Sequence, residues 1–103
     1  MEPQQKFQMM IQELQLVAQQ IATLNNQSRE LEITIEQVGS QSEELALYRQ
    51  TGAILSEVSD RKSLLDDLTQ TKDKVAQAIE QLTEREKELR EGYEKLSKEI
   101  EGQ

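Results

Sequence analysis

The chain has 103 residues, a formal net charge of −8, three aromatic residues (Phe7, Tyr48 and Tyr93) and no His, Cys or Trp. That length allows one domain at most, here 1–103, and the composition excludes a disulfide framework, a thiol nucleophile, zinc-finger ligation and a histidine general base. A net acidic chain without a basic stripe is a poor nucleic-acid binder, because neutralising phosphates requires clustered Lys and Arg.

The first element is expected over 4–38. Its apolar positions are Phe7, Met10, Leu14, Val17, Ile21, Leu24, Leu31, Ile35 and Val38, with steps that alternate three and four and only Ser28 interrupting. An a/d repeat kept over that length marks a coiled-coil seam. Pro3 suits a first-turn position, where its missing N–H costs nothing. Gly39 suits a left-handed C-terminal cap. At ~1.5 Å per residue the helix would be ~50 Å long.

The period changes over 40–58. Leu45-Ala46-Leu47-Tyr48-Arg49 and Ile54-Leu55-Ser56-Glu57-Val58 flank Gln50-Thr51-Gly52-Ala53. Two short apolar runs around a Gly-containing turn read as a β-hairpin, with Gly52 free to take positive φ. Two isolated strands are marginal in water, and the chain supplies no third. The sequence therefore predicts its own oligomerisation.

The last element is expected over 59–101. Its seam is Leu65, Leu68, Lys72, Val75, Ile79, Leu82, Glu86, Leu89, Tyr93, Leu96 and Ile100, with Lys72 and Glu86 as polar interruptions. Ser59 or Asp60 would supply the N-cap oxygen. Glu86 with Arg90, Glu91 with Lys95 and Glu94 with Lys98 are i,i+4 pairs in the favoured order. Gly92 inside this helix should cost roughly 1 kcal/mol relative to Ala.

Two seams of similar length, joined by a compact insert, should fold back on each other antiparallel. Pairing Val38 with the region near Arg61 sets Phe7 opposite Gly92–Leu96. Both termini then lie at one end and the hairpin at the other. Met9, Ile11, Leu16 and Ile33 fall off the seam. Phe7, Met9, Met10 and Ile11, with Leu96 and Ile100, gather at the end that carries the termini. They form either a frayed coiled-coil end or an adaptable apolar binding tip, since Met is flexible and polarisable.

Other classes find no support. No apolar run approaches the ~20 residues of a membrane helix. The polar stretch Met1–Met10 has no signal-peptide core, so a soluble, cytoplasmic protein is expected. The glycines are isolated, so no phosphate loop occurs, and no EF-hand spacing is present. An enzyme, a cofactor and a metal site are not expected.

Leu47-Tyr48-Arg49-Gln50-Thr51-Gly52-Ala53-Ile54-Leu55, followed by the polar helix start Ser59-Asp60-Arg61-Lys62, resembles the β-type prefoldin subunits. That family shows a Tyr, a basic or polar residue, two variable residues, Gly, a variable residue and an aliphatic pair between two heptad-rich arms. Ser56 and Glu57 depart from it, because family members usually continue the second strand with apolar and basic residues. A single hairpin fits the β type, since the α type has two.

The resemblance implies a mainly α fold, a long antiparallel two-helix coiled coil with one β-hairpin between the helices. It implies hairpins assembling into β-barrels in a hetero-hexamer of two α-type and four β-type subunits. Leu45, Leu47, Tyr48, Ile54, Leu55 and Val58 would build that body. Phe7, Met9, Met10, Ile11, Leu96 and Ile100 would grip unfolded client proteins and deliver them to a group II chaperonin without ATP. The alternative is a generic coiled-coil scaffold or tether in which 40–58 is only a loop.

Overall fold

The computed structural model describes residues 2–42 and 45–102. Glu43 and Glu44, within the expected 40–58 linker, lie outside the described residues. The element order is α1 (Pro3–Ser40), β1 (Leu47–Thr51), β2 (Ile54–Val58) and α2 (Arg61–Glu101). The two helices pack antiparallel along an elongated body of 71 × 25 × 15 Å, with the β1–β2 hairpin at the end away from the termini.

The heptad spacing explains this packing. Every seam position of both helices is buried or half-buried, including Ser28, Lys72 and Glu86. Among the described residues only Val17, Leu89 and Leu96 are nearly sealed from solvent. Two helices cover only one stripe of each other, so most seam residues keep one edge open. Two of the polar interruptions, Lys72 and Glu86, find partners at the rim of the seam. Lys72 reaches Glu32 of the facing helix at 3.9 Å, and Glu86 pairs with Arg90 at 3.5 Å on its own helix. The other two expected i,i+4 pairs, Glu91 with Lys95 and Glu94 with Lys98, do not close to ion-pair distance. These side chains remain solvated, where such a pair contributes little.

Helix ends follow local chemistry. Pro3 stands at the first position of α1. Asp60 is the N-cap of α2, its carboxylate accepting from the Ser63 N–H at 3.0 Å. Gly39 does not form a left-handed cap. It stays helical, α1 runs on through Ser40, and the extended Gln41 donates its N–H to Gln37 O at 3.1 Å. An extended exit carries the chain toward Arg61, whereas a left-handed turn would reverse it.

The hairpin closes with Thr51 opposite Ile54 around Gly52-Ala53. Gly52 has φ 61°, and no described non-glycine residue has positive φ. Glycine at the first central position is what a type II′ turn demands. The rest of the register is Leu47 with Val58, Tyr48 with Glu57, Arg49 with Ser56 and Gln50 with Leu55. Since side chains alternate faces, Leu47, Ile54 and Val58 share one face and Tyr48 and Leu55 the other. Ser56 and Glu57 are thus accommodated as full members of β2.

Candidate functional site

Two surfaces stand out, at opposite ends of the rod. At the terminal end, Phe7 of α1 stacks on Tyr93 of α2, with ring centroids 4.6 Å apart. Met10 lies over Gly92, so that a Cβ there would sit 3.0 Å from Met10 Cε. A side chain larger than hydrogen would compete with Met10 for that space, which gives the helical glycine a packing reason. Leu96 is buried in the seam at 7% exposure. It supports the tip from inside. Phe7, Met10, Ile11 and Ile100 are half-buried, and Met9 is 54% exposed. Phe7 and Ile100 also line a shallow recess with Gln4, Gln8, Ser97 and Glu101.

Leu16 was absent from the expected tip. It follows Met9 by one heptad, so it lies on the same side of α1, and it is equally exposed at 54%. It borders an open groove with Leu24, Ala78 and Leu82, rimmed by Gln19, Gln20, Thr23 and Gln81. The signal was in the sequence: two large apolar residues off the seam, seven apart, the second of them within a charge-free stretch over 14–28.

At the other end the hairpin presents apolar side chains on both faces. Tyr48, Ile54 and Leu55 are 63–66% exposed, whereas Leu47 and Val58, paired at the base of the hairpin, are half-buried. Leu45, ahead of β1, is also exposed. A two-stranded sheet has two free edges as well as two faces, and each edge is a template for pairing.

The junction between hairpin and arm holds a residue to which sequence gave only a place in the helix start. The guanidinium of Arg61 donates from Nη1 to Gln41 O, and from Nη2 to Ser42 O at 3.0 Å and Leu45 O at 3.2 Å. Midway along the arm, Arg85 donates from Nε and Nη2 to Glu13 Oε1 at 3.0 and 2.7 Å and also reaches Glu88 at 3.4 Å. The hydrogen bond to Glu13, then its charge, raises the Arg85 pKa above the ordinary arginine value.

Among the described residues no group of three or more acidic residues could hold a metal ion, and no helix is long and apolar enough to cross a membrane.

Comparison with known proteins matches the whole chain, residues 1–103, to the family model described as prefoldin subunit. A prefoldin subunit beta of Thermoplasma volcanium is 32% identical over 89 residues, which cover 82% of this chain and 72% of that protein. The crystal structure of the prefoldin beta subunit from Thermococcus strain KS-1 superposes with a TM-score of 0.87 at 19% identity. That match covers 97% of this chain and 87% of that one.

Proposed function

The chain belongs to the prefoldin subunit family, as a β-type member, and from that premise we propose that it is one arm of an ATP-independent chaperone. In this reading its hairpin joins those of α-type and other β-type subunits in a cytoplasmic hetero-hexamer of two α-type and four β-type chains. The two-helix arm hangs from that body. The apolar tip captures unfolded polypeptides, and the assembly delivers them to a group II chaperonin.

The observation that carries the reading is the hairpin. Tyr48, Ile54 and Leu55 stand 63–66% exposed on a sheet of two strands. Isolated hairpins with that much exposed apolar surface are marginal in water and call for a partner sheet. A coiled-coil tether would need no such element. The tip supports the second half of the reading: it is small and Met-bearing, so one arm binds weakly and with little regard to client sequence. Tethering several arms raises the effective concentration, and with it the avidity, while each contact stays reversible.

Native mass by light scattering tests the assembly, for the chain alone and after co-expression with a two-hairpin α-type subunit of the same organism. A discrete hexamer that suppresses aggregation of a denatured client is expected. A chain that ignores the α-type partner and remains a helical monomer or dimer would favour the tether.

A further inference from the structure

α2 opens with Arg61 and Lys62 and has no acidic residue in its first turn. Cations there face the positive end of the helix dipole, which disfavours them. α1 shows the converse, with no basic residue in its last turn. In space the two irregularities meet. The Arg61 side chain turns away from its own helix and donates to Gln41 O, at the C-cap of α1, and to Ser42 O and Leu45 O on the way to β1. The cation thus sits at the negative end of the neighbouring helix.

The connections on the two sides of the hairpin are unequal. Only Ser59 and Asp60 separate β2 from α2, whereas residues 41–46 separate α1 from β1. The longer connection is the one that Arg61 gathers in. Ser42 O also accepts from the Leu45 N–H at 3.1 Å, so the guanidinium joins acceptors that are already tied to one another. A planar fork holds five N–H donors in a fixed, spread geometry that reaches several separated carbonyls, whereas the three donors of a lysine ammonium radiate from one point on a flexible stem.

We propose that Arg61 is a positioning residue that fixes the angle between the hairpin and the two-helix arm, by tying the α1–β1 connection to the first turn of α2. Without it the hairpin pivots on Ser59 and Asp60. The consequence for assembly rests on the chaperone reading above. A hairpin held at one angle presents Tyr48, Ile54 and Leu55 ready for partner hairpins. A pivoting hairpin is competent only part of the time, and its apparent affinity falls by that fraction.

The chain has no cysteine, so spin labels can be placed at will. One pair, Ala53→Cys with Gln70→Cys, reports hairpin against arm. A second, Gln15→Cys with Gln70→Cys, reports the arm alone. Distance distributions by pulsed electron resonance are compared for the unaltered Arg61, Arg61→Ala and Arg61→Lys. The hairpin–arm distribution should be narrow with Arg61 and broad in both variants, while the arm pair stays unchanged. A narrow hairpin–arm distribution in Arg61→Ala would overturn the proposal, as would equal broadening of both pairs.

Co-assembly with the α-type subunit is read separately. If the hairpin keeps its competent pose about a tenth of the time, Arg61→Ala should need roughly tenfold more partner to assemble. Equal assembly of the two forms would remove the functional half of the proposal. Failure of the unaltered chain to assemble would instead refute the chaperone reading, and the label distances would still decide the clasp.

Discussion

Phe7 and Tyr93 stack with ring centroids 4.6 Å apart and planes inclined by 24°, joining the second turn of α1 to the last third of α2. The contact sets the register of the antiparallel pair at its open end, where no loop connects the helices. A stacked pair contributes about 0.5–1.5 kcal/mol beyond its buried area. A double-mutant cycle with Phe7→Leu and Tyr93→Leu, followed by urea unfolding, should return a coupling of that size. Additive losses would mean that the rings touch without stabilising the tip.

Gly92 presents two opposed effects at one position. Alanine would recover up to about 1 kcal/mol of helix propensity. Its Cβ would meet Met10 Cε at 3.0 Å and Met10 Sδ at 3.8 Å. The crowded atom is the end of a flexible side chain, which can give by a few tenths of an ångström. Gly92→Ala should therefore raise stability, by about half of the propensity gain. Gly92→Leu, which must displace Met10 entirely, should lower it. Urea midpoints decide both signs, and a lower midpoint for the alanine variant would show Met10 held rigidly.

The arms were legible because the heptad period states which residues face each other, and the same spacing set Phe7 against Gly92–Leu96. The hairpin was legible through Gly52 and the apolar runs beside it, even though neither strand alternates cleanly. The register shows why: Leu47, Ile54 and Val58 take one face and Tyr48 and Leu55 the other, so both faces carry apolar residues. Gly39 was misread, since glycine permits a left-handed cap without requiring one. The Arg61 clasp was hidden because its acceptors are backbone carbonyls, which no side-chain pattern reveals. The Met10–Gly92 approach was hidden because a helical glycine reads as a cost until its neighbour is known.

The Glu13–Arg85 pair is the shorter of the two ion pairs between the helices among the described residues, yet both side chains are more than two-fifths exposed. Exposure to solvent keeps its contribution to stability small. Glu13→Gln keeps the size and one acceptor oxygen and removes the charge. Its stability deficit should appear in dilute buffer and fade toward ~1 M salt, where screening acts within ~3 Å. A deficit that persists at high salt would assign the effect to packing.

Tyr48 and Leu55 share the hairpin face that points away from Leu47 and Val58. Placing Asp at both positions puts two charges where a partner sheet would exclude water, and burying unpaired charge is strongly unfavourable. The double variant should abolish the proposed hexamer while helix content by circular dichroism stays nearly constant, since the arms pack through a separate seam. A hexamer that survives both changes would remove the barrel assignment.

The tip needs a test that separates gripping from holding the arm together. Replacing Phe7 or Met10 would disturb the stack on Tyr93 or the packing over Gly92, so lost capture would have two explanations. Met9 and Leu16 avoid this. Each is 54% exposed, off the seam and one heptad from the other. Met9→Ser should leave the unfolding free energy within about 0.5 kcal/mol of the parent and raise the amount of assembly needed to suppress aggregation of a denatured client. Leu16→Ser should add to that loss if the gripping face runs up the arm toward the groove of Leu24, Ala78 and Leu82. Repetition over several arms multiplies a small change per contact, because avidity depends on simultaneous engagement. Suppression unchanged by both substitutions, with assembly intact, would place client binding elsewhere on the arm.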